Sequence, residues 1–139
     1  MSAQMVLLPV FVLVGLTFFL LFMMAGARTR SLTSGEVKFK DVALGKNWPD
    51  RAAQMGNSFN NQFQLPLLYY ALVAIALPLR HADLVFVLLS WVFVVTRFAH
   101  AEIFVTTNNV QHRSLAWFAG VLVLLAMWLY FALRILFLI

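Results

Sequence analysis

Residues 97–104 read Arg97-Phe98-Ala99-His100-Ala101-Glu102-Ile103-Phe104 and follow directly on LVFVLLSWVFVVT, residues 84–96, with no glycine or proline between them. A helix apolar enough for lipid therefore continues into an arginine, a histidine and a glutamate within two turns. An arginine at the centre of a membrane helix costs roughly 2.5–3.5 kcal/mol, and more without water or snorkelling, so such residues face protein or a polar cavity. What surrounds this stretch decides the fold.

The whole chain has 139 residues, of which 63% are apolar and 11% charged, and its mean hydropathy is +0.90. These values lie far outside the soluble range and identify an integral membrane protein of one domain. The sequence contains no cysteine, which excludes disulfides, thiolate metal sites and a protein thiol nucleophile. Any thiol chemistry must use a thiol supplied by a ligand. The net charge of +5 is concentrated in one connection, where membrane topology explains it better than nucleic acid does.

Met5 to Ala27 provides 23 apolar-rich residues, about 34 Å of helix, enough for a hydrocarbon core of about 30 Å. Ala25-Gly26-Ala27 resembles a signal-peptide cleavage site, but Ser2 to Gln4 carries no positive charge and the apolar run exceeds a normal h-region,. The stretch reads as a first transmembrane helix. Ser114 to Ile139 is similarly long, interrupted by Arg134, whose long side chain is expected to snorkel to the headgroups. Between them, Leu65 to Leu79 and Leu84 to Thr96 supply only 15 and 13 residues, too short to span alone.

Each middle helix must borrow a polar extension. For the second it precedes the apolar run, in QMGNSFNNQFQ; for the third it follows, in RFAHAEIFVTTNN. Antiparallel neighbours place both extensions on the same side of the membrane, which predicts a polar pocket in one leaflet. The expected architecture is an all-α, antiparallel four-transmembrane-helix bundle forming one domain over residues 1–139, with helices over 5–27, 51–79, 83–108 and 113–138. Ser31 to Gly35 reads as loop, Asn47-Trp48-Pro49-Asp50 as a turn into the second helix, and His81-Ala82-Asp83 as a short hairpin turn,. The connection from Arg28 to Arg51 carries Arg28, Arg30, Lys38, Lys40, Lys46 and Arg51 against Glu36, Asp41 and Asp50. That bias puts the pocket on the cytoplasmic side and both termini on the other.

At 100° per residue, Arg97, His100, Phe104 and Asn108 share one helix face, whereas Glu102 projects about 140° from Arg97. On the second helix Asn57, Asn61, Gln64 and Leu68 form a comparable stripe, flanked by Asn60. Pro66 removes an amide donor and frees the Gln62 carbonyl, and a kink there would widen the pocket. His100 has no second histidine or carboxylate at metal-ligand spacing, and His112 lies in a connection, so a metal site is not expected. No phosphate loop, dinucleotide fingerprint or Ser/His/Asp arrangement is present.

The four-helix plan, the amide-rich NSFNNQFQLPLLYY, and Arg97-x-x-His100 together with Arg113-Ser114 resemble the MAPEG family, membrane-associated proteins of eicosanoid and glutathione metabolism. The resemblance spans essentially the whole chain. It is that of a bacterial-type member, nearest in motif spacing to the prostaglandin E synthase branch. It implies a homotrimer in a membrane, for a bacterium the inner one, with glutathione between neighbouring subunits on the cytoplasmic side. By the same resemblance Arg113 is the catalytic residue, lowering the thiol pKa so that thiolate attacks a lipophilic electrophile arriving from the lipid. Arg97, His100, Phe104, Ser114, Asn57, Asn61 and Gln64 fall at the ligand-holding positions.

This sequence also departs from that pattern. Gln64 stands in place of an acid that meets the ligand's amino end, Phe104 and Trp117 in place of tyrosines, and Asn57 in place of an arginine. Two other readings stay open. One is a non-catalytic trimeric scaffold or accessory subunit, whose polar layer joins helices. The other is a binder of a different polar ligand or a lipid headgroup.

Overall fold

The computed structural model describes residues 2–138 as helices joined by short connections. Helix α1 spans Ala3–Thr33, α2 Asp50–Asn61, α3 Leu65–Ala76, α4 Leu84–Val105 and α5 Val110–Leu136, with a 3-10 turn at Phe39–Asp41. Three of these, α1, α4 and α5, are long and apolar enough to cross a membrane.

The second rod is made of two pieces. Helix α2 ends at Asn61, and successive i to i+3 bonds carry the chain through Gln62, Phe63 and Gln64 before α3 begins with Pro66 in its first turn. The break therefore falls one turn before the proline, not at it. Pro66 has no N–H to continue α2, but it fits the first turn of a helix, where that donor is not needed.

Paired side chains establish that the rods run antiparallel. Arg28 near the end of α1 lies 3.1 Å from a Cβ built on Gly56 of α2. The start of α2 meets the end of α4 through Arg51 Nη1, which donates to the Val105 carbonyl at 2.7 Å, and Gln54 Nε2, which donates to the Phe104 carbonyl. At the opposite end Asp83, the N-cap of α4, pairs with Arg134 near the end of α5.

Leu13, Leu20, Tyr69, Leu72, Ala76, Phe86, Phe93 and Met127 are buried between the rods. Phe11, Phe18, Phe22 and Leu122 face outward, as expected where the solvent is hydrocarbon. Gly120 permits the α4–α5 approach, because a Cβ there would lie 3.1 Å from Thr96 Oγ1. Intrahelical hydroxyls find carbonyls one turn back: Thr17 on Leu13, Ser90 on Phe86 and Ser31 on Ala27, which removes their need for external partners.

Several expected boundaries move. Helix α1 runs on through Arg28 to Thr33 instead of entering a loop at Ser31, closing with the Ser34 N–H on the Arg30 carbonyl. Helix α4 stops at Val105, since Asn108 adopts a left-handed φ of 51°, a conformation asparagine tolerates well. Asn109 then caps α5, its Oδ1 accepting from the His112 N–H at 3.1 Å,. As a result Arg113 sits one turn inside α5 rather than at its first residue. Arg134 does not snorkel freely: it bonds Asp83 and lies over the Tyr130 ring.

Candidate functional site

Arg97 is wholly buried, at 0% exposure, and His100 is at 2%. Their stripe on α4 faces the break in the second rod, which is why a polar end of one helix meets a polar end of the other. Arg97 Nη2 donates to both the side-chain oxygen and the carbonyl of Asn61. Asn61 Nδ2 in turn donates to Gln64 Oε1 at 3.1 Å. Because α2 has ended at Asn61, its carbonyl accepts from the Gln64 N–H in place of an i+4 partner and also accepts from the arginine,.

This single amide does not satisfy the guanidinium. Arg97 Nε and Nη1 are buried without a hydrogen-bond partner, as is His100 Nδ1. No carboxylate answers them: among the described residues the one ion pair is Asp83 with Arg134, at the far end of the bundle. Glu102, the nearest acid in sequence, is exposed on another face of α4. Buried polar groups in membrane proteins are ordinarily hydrogen-bonded, and Arg97 retains donor capacity that these contacts leave unmet,.

A cavity of about 180 Å³ lies beside it, lined by Asn61, His100, Phe104, Arg113, Ser114, Trp117 and Phe118. The Arg113 guanidinium carbon is 4.3 Å from the Phe104 ring centroid, and its Nη1 donates to Asn108 Oδ1. The left-handed turn at Asn108 thus swings an amide back to hold Arg113 against the aromatic wall. His100 stands edge-on to Phe104, with centroids 5.6 Å apart. One guanidinium and an imidazole therefore line this small space without a carboxylate among its lining residues, and a second guanidinium, Arg97, reaches its wall through Asn61.

The structure brings together most of the residues singled out in the sequence. Asn61, His100, Phe104, Arg113 and Ser114 line the cavity, Arg97 lies behind Asn61, and Gln64 joins through it. Asn57 is exposed and outside this cavity. Trp117 and Phe118 complete an aromatic rim. Gln54 and Arg51, which tie the end of α4 to α2, were not legible in the sequence, because they bond backbone carbonyls about fifty positions away. Gln62, at 1% exposure, was also missed; its position among other amides concealed that it is the one fully buried among them.

No curated protein and no solved structure matches the chain. The sequence pattern of one family does, over residues 6–133 and hence nearly end to end, and with its membrane-spanning helices and the arginine, histidine and amide layer between them, the chain belongs to the MAPEG family.

Proposed function

We propose that this MAPEG protein is a glutathione-dependent transferase or peroxidase acting on lipophilic electrophiles. The observation that carries this reading is the buried Arg97, with two guanidinium nitrogens unpartnered, beside a cavity that also presents His100 and Arg113. A small peptide with two carboxylates supplies the acceptors that these donors lack. Arg97 and His100 would hold its backbone and a carboxylate, Asn61 and Gln64 its amino end, and the Ser114 hydroxyl a further polar atom.

Arg113 is the candidate for the chemistry. Its charge lies over the Phe104 ring and shares the cavity with His100 and Ser114, and a cation beside a thiol favours the thiolate. The thiol proton leaves to solvent, and the sulfur forms a bond to an electrophilic carbon or peroxide oxygen held against Trp117 and Phe118. With an epoxide carbon the C–O bond breaks and with a hydroperoxide the O–O bond breaks; the electron pair goes to the departing oxygen, which takes up a proton. In the peroxide case a second glutathione reduces the sulfenic acid to disulfide and water.

A volume of about 180 Å³ is below the roughly 300–1,000 Å³ of ordinary small-molecule sites. A neighbouring subunit of a homotrimer would supply the remaining wall. The basic connection between residues 28 and 51 supports a cytoplasmic-side location for this site,.

Titrating the detergent-purified protein with glutathione tests the reading. Binding heat together with thiolate absorbance near roughly 240 nm is expected. S-methylglutathione should bind without the absorbance change. No heat with either peptide sinks the proposal.

One observation favours a scaffold instead: Arg97 already joins α4 to Asn61 at the helix break. In that case Arg97→Ala would dissociate the oligomer in detergent, while glutathione would have no effect on wild type.

A further inference from the structure

A second and larger cavity, about 630 Å³, opens between α1 and α2 at the end of the bundle that carries the 28–51 connection. It shares no lining residue with the site above. Its floor is Phe22, Met23, Gly26, Ala27 and Met55, and its rim carries Arg30, Glu36 and Arg51. We infer that this cleft binds a glycerophospholipid, its phosphodiester between Arg30 and Arg51 and a hydrogen-bond donor on its headgroup meeting Glu36.

The geometry follows the shape of such a lipid. Phe22 is 70% exposed and lies eight residues before Arg30, about 12 Å along the helix axis. A phosphate held by Arg30 would therefore run its acyl chain over Gly26 and Met23 to Phe22. Gly26 has nothing within 4 Å of an added Cβ, so the cleft is open where glycerol and the first methylenes would lie. Trp48 sits beside the Arg28 guanidinium at 4.9 Å, and a tryptophan of this kind places the region at headgroup depth.

The charges define the headgroup. Arg51 is fixed by its bond to the Val105 carbonyl and keeps further guanidinium N–H groups available. Among the described residues, the side chains of Arg30 and Glu36 have neither a hydrogen bond nor an ion pair. Two cations and one carboxylate sum to a single positive charge, which matches a monoanionic phosphodiester. Exposed Glu36 offers an acceptor to the hydroxyls of phosphatidylglycerol or the ammonium of phosphatidylethanolamine,. Choline carries no N–H to donate to it. Basic clefts between membrane helices on this side are suited to such headgroups.

Native mass spectrometry of the full-length protein in detergent tests the assignment, with phosphatidylglycerol, phosphatidylethanolamine and phosphatidylcholine offered in equal amounts. Retention of the first two about fivefold above the third is expected, with Arg30→Gln reducing phosphatidylglycerol to the phosphatidylcholine level. Glu36→Gln should lower phosphatidylethanolamine retention alone. Both side chains are exposed and unbonded, so helicity and elution volume should match wild type. Equal retention of all three lipids overturns the inference, and so does retention of none. If glycerophosphoglycerol, the headgroup without acyl chains, competes as well as the lipid does, the cleft takes a soluble phosphodiester and the lipid assignment falls.

Discussion

Arg97 and Arg134 mark opposite ends of the same bundle, and their surroundings differ in kind. Arg134 meets Asp83, which also accepts from the Tyr130 hydroxyl and the Phe86 N–H. Arg97 is buried more deeply and has one amide and no acid. A structural arginine in a membrane protein brings its own counter-charge, as at Asp83. The other end holds its guanidinium without any counter-charge, two of its nitrogens unpartnered.

The sharpest break of this contrast is expected at Arg113. Arg113→Gln should lower turnover roughly hundredfold or more, the scale of losing one electrostatic contact to reacting charge, and abolish the thiolate absorbance while leaving peptide binding heat. Persistent thiolate absorbance would remove Arg113 from the catalytic role.

Arg97→Met comes next. It should weaken glutathione binding at least about tenfold, the loss of a charge-assisted hydrogen bond. Thermal stability in detergent should hold or rise, because an apolar side chain of similar volume carries no desolvation penalty. A large fall in melting temperature with affinity intact would make Arg97 another Arg134.

Restoring a charge should act in the other direction. Gln64→Glu keeps an acceptor for Asn61 and adds a carboxylate for the ligand's ammonium, so affinity should improve about tenfold. No change would place the ammonium elsewhere.

The smallest effect belongs to the Asp83 end. Partial burial raises the Asp83 pKa, but the Tyr130 hydroxyl, the Phe86 N–H and Arg134 outweigh it and hold the carboxyl below its ordinary 3.8. A depressed folded-state pKa contributes stability that is present above the unfolded value and is lost as pH falls through the folded one. Acid below about pH 4 should therefore loosen this end. The side chains are partly exposed and the pair is screened, so Asp83→Asn should cost only about 0–1 kcal/mol near neutrality. Melting curves of the variant and wild type should converge in acid; curves that stay equally separated at every pH would show that the pair contributes nothing.

Much of this was legible from residue order. The short apolar runs at 65–79 and 84–96 required polar extensions on one side, and α2 and α4 place Asn61 and Arg97 in direct contact there. The 3.6-residue period put Arg97, His100 and Phe104 on one face, and all three are buried. Asn108 escaped that pattern, because a left-handed turn is a local backbone choice that periodicity does not carry. The partner of Arg134 escaped it too. Asp83 is 51 positions away, and only the antiparallel closure of α4 on α5 brings them together.

By itself, then, the sequence determined the solvent, the number of polar helix ends and their common side, since burial costs in lipid act residue by residue along each helix. Which donors find acceptors was decided only by the tertiary structure. A hydrogen bond depends on two positions at once, and helix packing sets those distances.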